Sequence, residues 1–288
     1  MTMLITLSPM ISSRSASLTR LHKNNNKWEN LLMMKKFLKL IAGSAIIFFS
    51  SFLLADDHAR SYFVETIPMS LVGESNLEDL LNTRETFRAW MENGGTKYNV
   101  VLMVPWAVDK SAAGSQTDWD VIWAGFSPTV QDYSETMEYY LSKGEEIDSI
   151  YNGMRSFNTR SMAMGRTIFQ GTPPSGKTGV ALFRTCSLNK NKTLENAESA
   201  MIGMASALKK AGSQGSSHIW MPGPGSTQAQ QGTFLSVRTF PSISAWSESF
   251  AAYGNGDFSK EERAARATSD CSPMRMYLTY PHYIVAID

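Results

Sequence analysis

His218 and His282 are the side chains of this sequence best suited to chemistry. His218 opens a predicted strand next to Trp220, and His282 directly follows the last predicted strand. Imidazole transfers protons and binds metals near neutral pH, so these two histidines are the catalytic candidates, and a hydrogen-bonded or surface position is the alternative for each. A third histidine, His58, lies at the start of the predicted fold. No set of residues has the spacing of metal ligands, so we expect no metal site.

The sequence lacks the common nucleotide-binding and nucleophile motifs. Gly223-Pro224-Gly225 has no remainder of a dinucleotide fingerprint and is predicted to be a turn. Gly176-Lys177-Thr178 has a glycine five positions earlier, but a predicted strand follows it where a phosphate-binding loop needs a helix. No Gly-x-Ser-x-Gly segment with catalytic partners stands out. With 27 basic and 26 acidic residues and no basic stripe, the chain is not expected to bind nucleic acid.

A long internal repeat organises the chain. Residues 76–95 resemble residues 193–212, and residues 126–140 resemble residues 240–253. Both copies of the second segment contain an aromatic residue followed by Ser and Glu. A period of about 115 residues exceeds the 20 to 50 residues of a solenoid unit and has the size of a small domain. The repeat therefore predicts a duplicated domain whose halves share one core.

The two predicted halves have the same order of elements. Residues 60–170 and residues 178–288 each give strand–helix–strand–strand–helix–strand, and the Gly/Pro-rich segment 171–177 links them. This is the order of a split βαβ, or ferredoxin-like, unit, so the predicted fold class is α+β. The predicted helices span residues 76–91, 129–143, 193–210 and 242–253.

The order of elements also gives the cysteines a geometric relation. In a ferredoxin-like unit the first and last strands are antiparallel neighbours, so the end of one lies beside the start of the other. Cys186 comes just after the first strand of the second half, and Cys271 comes just before its last strand. We predict a disulfide between them, and two free thiols are the alternative.

Two tandem ferredoxin-like units resemble the dimeric α+β barrel superfamily, in which two such units close their sheets into one barrel with helices outside. The resemblance covers nearly all of residues 60–288 and implies an intramolecular barrel. Members of that superfamily include cofactor-independent oxygenases and haem-binding enzymes. The sequence itself indicates no cofactor, but the resemblance implies that a haem, if present, would take His218 or His282 as axial ligand. The segments that carry the resemblance are residues 194–212, 217–222, 233–237 and 240–246.

Polar and aromatic strand residues suggest a binding site inside such a barrel. Strand residues that face inward line the interior, and a few polar groups among apolar walls orient a ligand. We predict this ligand-binding role for Glu65, Trp123, Arg184, Trp220 and Arg238. Packing between sheet and helices is the alternative for the tryptophans. Because the second half alone carries both cysteines and the strand histidine, we expect any single site to lie there.

Three functional hypotheses follow. The leading one is an exported protein that binds a small apolar or aromatic molecule in a sheet-lined cavity. The second is a monooxygenase-like or haem-linked enzyme that uses His218 or His282 with Trp220. The third is a non-catalytic structural or protein-interaction module. The sequence decides neither between enzyme and binding protein nor the oligomeric state.

The first 55 residues are predicted to lie outside the fold. Lysines at positions 35, 36 and 39 precede an apolar run, residues 40–54, that is shorter than a membrane-spanning helix and leads to Ala55. These are the parts of a secretory signal peptide, which we place at residues 33–55 with cleavage after Ala55. The protein is then periplasmic or secreted, and only the signal peptide meets the membrane. Residues 1–32 extend this segment or precede the true start, and an uncleaved anchor is the alternative.

Overall fold

The computed structural model of the protein describes residues 61–108, 119–173 and 176–285. The predicted signal peptide at 33–55, its cleavage after Ala55, the preceding residues 1–32 and His58 all lie outside the described residues. Within the described ranges, no helix is both long and apolar enough to cross a membrane.

The first half contains the predicted elements with two changes. The predicted first helix is divided in two at Thr83, whose hydroxyl donates to the carbonyl of Leu80 at 2.7 Å. The second predicted helix continues beyond residue 143, because Ile147 and Tyr151 extend its buried face by two more turns. The elements are β1 (Ser61–Leu71), α1 (Leu77–Asn82), α2 (Arg84–Asn93), β2 (Asn99–Ala107), β3 (Val121–Ser127), α3 (Val130–Tyr151), β4 (Arg155–Ser156) and β5 (Ser161–Phe169).

The second half repeats this order and adds one helix. The additional helix, α6, was not predicted because it has no apolar face, and none of its residues is buried. It packs against α4, which lies over the sheet. The elements are β6 (Gly179–Leu188), α4 (Leu194–Lys210), β7 (Ser216–Pro222), β8 (Thr233–Phe240), α5 (Ile243–Asn255), α6 (Ser259–Thr268), β9 (Ser269–Cys271) and β10 (Arg275–Tyr283).

Polar residues set the starts of the main helices. The side chains of Asn76, Thr129, Thr193 and Ser242 each accept a hydrogen bond from a backbone N–H of the first turn of α1, α3, α4 and α5, respectively. These groups otherwise have no partner within the helix, and each such cap is worth about 1 kcal/mol. The residue next to each helix start therefore determines where that helix begins.

The strands close into one antiparallel barrel. In the first half the order across the sheet is β5-β1-β3-β2, and in the second half it is β10-β6-β8-β7, which is the ferredoxin-like order in both cases. The halves join twice, where β2 pairs with β10 and β5 pairs with β7. The predicted fold, two βαββαβ units that form an intramolecular α+β barrel, is confirmed.

Apolar side chains from both halves fill the barrel interior. Val64, Trp220, Val237 and Tyr277 belong to one buried cluster that contains strand residues of both halves and no residue of α1–α6. The opposite faces of the same strands pack against the helices, as where Phe87 and Trp90 of α2 cover the first-half sheet. Successive strand residues point to opposite faces, so every strand contributes to both layers.

Each half also has a short extra strand at the same place. β4 pairs with the end of β1, and β9 pairs with the end of β6. In the second pair Cys186 lies directly opposite Cys271, and the two form a disulfide. The predicted disulfide is therefore confirmed.

Candidate ligand-binding site

Strand alternation places the predicted ligand-binding residues on different faces of the barrel. Trp220 points into the packed interior. Arg184 and Arg238 instead point outward, where they face α4, α5 and α6, and Glu65 and Trp123 face α2 and α3. The prediction of an inward direction is thus wrong for Glu65, Arg184 and Arg238, because a strand residue one position away from an inward-facing one must face outward. Trp123 takes the alternative position, packed between the sheet and the helices.

A cavity of about 820 Å³ lies between the outer face of the second-half sheet and the helices that cover it. We call it the second-half cavity. Its floor comes from β6, β7 and β8, and its walls come from α4, α5 and α6. The residues that line it include Leu182, Arg184, Met201, Met204, Ala205, Ser217, Phe234, Ser236, Arg238, Phe240, Trp246, Phe250, Tyr253, Glu262, Arg266, Asp270 and Met274.

The strand register brings the two outward arginines together on the cavity floor. Arg238 of β8 lies opposite Leu182 of β6, and Arg184 lies opposite Ser236. The two arginines therefore occupy diagonal positions on one face, the spacing at which long side chains of neighbouring strands come within reach. The floor of this mainly apolar cavity therefore carries two neighbouring positive charges.

Arg184 is held by the chain around the disulfide. Its Nε–H donates to the carbonyl oxygen of Ser272 at 3.0 Å, and its Nη2 donates to the carbonyl oxygen of Cys271 at 3.4 Å. Because Cys271 is bonded to Cys186, two residues from Arg184, the disulfide fixes the carbonyls that orient the guanidinium. The disulfide thus has a positioning role in addition to closing the chain.

Arg238 differs from Arg184 because the described residues leave part of it without a partner. Its Nε is buried and has no hydrogen-bond partner there, and no carboxylate of the described residues forms an ion pair with it. The guanidinium lies over the ring of Phe240, 5.5 Å from its centroid. Burial lowers the pKa of Arg238 to about 10, with Tyr253 opposing the shift, so the side chain is still charged at neutral pH.

The helical wall ends in exposed aromatic residues. Trp246, Phe250 and Tyr253 follow the spacing of one face of α5 and line the cavity. The rings of Trp246 and Phe250 stack with centroids 5.8 Å apart, and Phe250 is 65% exposed. The Tyr253 hydroxyl donates to Glu262 of α6, which links the two helices. The cavity therefore opens to solvent beside Phe250.

The corresponding space in the first half is nearly filled. A cavity of about 60 Å³ remains between the first-half sheet and its helices. The carboxylate of Glu65 accepts hydrogen bonds from the hydroxyls of Tyr98 at 2.6 Å and Tyr133 at 2.7 Å, and it pairs with Arg160 at 3.1 Å. The Trp123 Nε1–H donates to the Tyr98 hydroxyl at 3.1 Å. Glu65 and Trp123 thus belong to an internal hydrogen-bond network.

Sequence reasoning missed Tyr98, Tyr133 and Arg160 as partners of Glu65. The single available signal was the aromatic–Ser–Glu motif of the repeat, which contains Tyr133. Burial raises the pKa of Tyr98 well above its usual range, and the Glu65 carboxylate raises it further. Burial likewise raises the pKa of Tyr133, so both tyrosines stay protonated and keep donating.

Gly125 leaves room for the Tyr98 hydroxyl, because glycine has no side chain. A Cβ atom at position 125 would collide with the Tyr98 hydroxyl. We expect Gly125→Ala to lower the free energy of unfolding by about 1 to 3 kcal/mol, because Tyr98 must leave its position over the strand. Urea unfolding measures the effect. Gly203→Ala, at an exposed helical position with open space around it, is the control and should leave stability equal or higher; equal effects of both substitutions would contradict the prediction.

The two described histidines lie in different layers of the fold. His218 faces the barrel interior, with its two ring nitrogens within hydrogen-bond distance of Thr167 at 3.0 Å and Thr239 at 3.1 Å. His282 lies in the first-half layer, where its Nε2 is 3.1 Å from the Tyr151 hydroxyl. Its Nδ1 is buried and has no partner among the described residues. Neither histidine lines the second-half cavity or its first-half counterpart.

These positions do not suit a histidine-ligated haem. A haem needs an axial side chain directed into a space large enough for the macrocycle. The second-half cavity has the larger volume, but the described histidines are elsewhere, and its Cys186 and Cys271 are consumed in the disulfide. Among the residues that the structure describes, no three His, Cys, Asp or Glu side chains converge on a metal position either. We therefore derive no chemistry through haem or a bound metal ion.

Burial of the histidines makes stability depend on pH. Burial lowers the pKa of His218 to about 4 and that of His282 to about 3, the latter with help from Arg84 and Arg155. The unfolded chain takes up protons on these residues below about pH 6.5, whereas the folded chain does not, so stability is complete above about pH 6.5 and is lost as pH falls towards 4. We expect each histidine to contribute roughly 1 kcal/mol per pH unit in this window.

The measurement is urea unfolding between pH 7.5 and pH 4.5 for the wild type and for His218→Asn. The variant should show a shallower fall in the free energy of unfolding with acidity. A fall of the same slope in both proteins would show that His218 takes no part in the pH dependence.

The topology defines the class of protein structure: a dimeric α+β barrel in which both units belong to one chain. Among solved structures, the chain is similar to a mutant chlorite dismutase from Candidatus Nitrospira defluvii in complex with cyanide, with 10% identity, a TM-score of 0.45, and coverage of 78% of this chain and 92% of that one. The same enzyme in complex with imidazole matches with 10% identity, a TM-score of 0.43 and the same coverages.

A chlorite dismutase candidate designated TA0507 is similar at 13% identity with a TM-score of 0.43, over 77% of this chain and 96% of that one. No protein-family model matches the sequence, and no curated protein matches it. The likeness concerns the fold alone, so the functional inferences below depend on this chain's own residues.

Proposed function

We propose that this protein binds a small, largely apolar molecule in the second-half cavity. The observation that carries the proposal is the cavity itself: about 820 Å³ between the second-half sheet and α4, α5 and α6. Cavities that hold drug-sized ligands have about 300 to 1,000 Å³. Its first-half counterpart has about 60 Å³, although the two halves share one topology.

The lining of the cavity supports an apolar ligand. Leu182, Phe234 and Phe240 form much of the floor, and Met201 and Met204 of α4 face them. Methionine side chains adapt to ligands of different shape because they are flexible and polarizable. At the mouth, Phe250 and Met274 expose 65% and 49% of their surface, and a bound apolar molecule would cover part of both.

Binding is tested with the neutral fluorescent probe N-phenyl-1-naphthylamine, whose emission rises in an apolar environment. We expect saturable binding to the wild type and binding at least tenfold weaker in Ala205→Phe, because Ala205 lines the cavity and the added ring fills part of it. Ala251→Phe, at an exposed position of the neighbouring helix, is the matched control and should bind as the wild type does.

Circular dichroism checks that each variant folds, and Ser236→Leu fills the same cavity from its floor if Ala205→Phe does not fold. No rise in probe emission with the wild type would overturn the proposed function. Equal binding by the cavity-filling variant and the control would place the probe somewhere other than in this cavity.

We further infer that the protein is exported. Lysines 35 and 36, the apolar run 40–54 and Ala55 have the composition of a signal peptide, and disulfides such as that of Cys186 and Cys271 persist in oxidising compartments. In a bacterial host, mass spectrometry of the periplasmic fraction should find a chain that begins at Asp56. Recovery of the chain from the cytosol alone, with residues 33–55 attached, would contradict export.

A further inference from the structure

Arg238 is a half-buried cation with a buried Nε, and it has no counterion in the part of the chain that the structure describes. Its Nε is buried and unpartnered, and its guanidinium contacts the ring of Phe240. Moving a charged group out of water without a partner is costly, so buried charges in proteins are normally paired. Arg238 therefore marks a place where the described residues supply no negatively charged partner.

The other charged residues of the cavity do not fill that role. Glu262 accepts from Tyr253 and pairs with Arg266, and neither it nor Asp270 forms an ion pair with Arg238. Arg184 is different again, because two carbonyl oxygens already hold its guanidinium. Arg238 is thus the floor arginine with unused hydrogen-bond donors.

The neighbours of Arg238 suit an anion. Ser217 of β7 lies directly opposite Arg238. Ser236 precedes Arg238 by two positions and is on the same face of β8. Both serines therefore line the cavity beside Arg238. A guanidinium offers a planar set of donors that matches a carboxylate, and hydroxyls can add single donors. Around these polar groups the floor is apolar, with Leu182 and Phe240 on either side.

We infer, on the basis of the proposed function, that the ligand is an apolar molecule with one anionic group, a carboxylate, which Arg238 binds at the inner end of the second-half cavity. The apolar body then extends along Trp246 towards the mouth at Phe250 and Met274. The orientation follows from exposure, since the Nε of Arg238 is buried at the floor, whereas Phe250 and Met274 are among the exposed residues of the lining.

This assignment has a consequence for the protein without ligand. Methionine removes the unpaired charge but keeps an apolar side chain beside Phe240, so Arg238→Met should unfold at the same temperature as the wild type or at a higher one. A purely structural arginine would behave in the opposite way, and its replacement would lower the unfolding temperature. The melting curve of Arg238→Met therefore separates a binding role from a structural one.

Selectivity is tested by competition against N-phenyl-1-naphthylamine with two molecules of equal shape, dodecanoate and dodecanamide, at pH 8. We expect dodecanoate to displace the probe at a concentration at least tenfold lower than dodecanamide, because hydrogen bonds to a charged group are stronger than neutral ones. In Arg238→Met this preference should disappear. Arg263→Met is the matched control, since Arg263 is an exposed arginine of α6 that does not line the cavity, and it should keep the preference.

The outcomes distinguish this inference from the proposed function. Equal displacement by both molecules from the wild type would overturn the anionic ligand and leave apolar binding standing. A preference for dodecanoate that survives in Arg238→Met, or is lost in Arg263→Met, would overturn the assignment to Arg238. If the probe itself does not bind, the proposed function fails and the inference fails with it.

Discussion

Replacing Glu65 by leucine should lower the free energy of unfolding by about 3 to 5 kcal/mol. The carboxylate is only 2% exposed and accepts from the hydroxyls of Tyr98 and Tyr133, which are themselves buried. Leaving a buried donor without an acceptor costs about 1 to 3 kcal/mol, and two such donors are affected. Arg160 adds less, because its side chain is 34% exposed and water can replace the lost partner. The two unpaired tyrosine hydroxyls therefore account for most of the expected loss in the free energy of unfolding.

Urea unfolding at pH 7.5 measures this loss, and Glu145→Leu is the matched control at an exposed position of α3. A second comparison isolates the mechanism. In a Tyr133→Phe background, Glu65→Leu should cost about 1 kcal/mol less than in the wild type, because the Tyr133 hydroxyl is no longer there to lose its acceptor. A loss below about 1 kcal/mol in the single variant, close to that of an exposed site, would mean that the network does not stabilise the fold.

Removing the disulfide should have an effect of similar size. Cys186 and Cys271 close a loop of 85 residues. In the chain-entropy model, a loop of this length contributes about 4 to 5 kcal/mol, chiefly by restricting the unfolded chain, and measured values are often lower. We expect the double variant Cys186→Ala/Cys271→Ala to unfold at a clearly lower urea concentration than the oxidised wild type.

The wild type in dithiothreitol is the control, because reduction breaks the same bond without a substitution. Reduced wild type and double variant should unfold at nearly the same urea concentration, both below the oxidised protein. If the oxidised and reduced proteins unfold together, the disulfide contributes nothing to stability. The competition assay with dodecanoate then shows separately whether the loss of this bond, which holds the carbonyls that orient Arg184, also weakens binding.

The prediction of the fold succeeded because its signals are local and occur twice. Caps such as Thr129 and Thr193 and the apolar faces of the helices depend on residues within a few positions of one another. Those signals were missing for α6, which buries no side chain, and for β4 and β9, which have two or three residues each. Pairing with β1 and β6 creates the short strands, and a sequence pattern cannot show a partner that is distant in the chain.

The candidate site was predicted in its residue types but not in its position. Arg184 and Arg238 were recognised as ligand-binding candidates, yet they were assigned to the barrel interior. Their outward direction depends on strand register, and a shift of one residue exchanges the two faces. The repeat motif marked Tyr133, but it did not connect Tyr133 or Tyr98 with Glu65, since these partners lie 68 and 33 positions away from it.

The sequence by itself determined the duplicated α+β architecture and the pairing of Cys186 with Cys271, because periodicity, capping and element order are properties of the chain. Only the tertiary structure decided which half keeps an open cavity. The first half fills its space with Glu65 and its tyrosines, whereas the second leaves about 820 Å³ around Arg238. Cavity volume and charge pairing arise from side chains on separate elements that meet only after folding, so the local sequence does not record them.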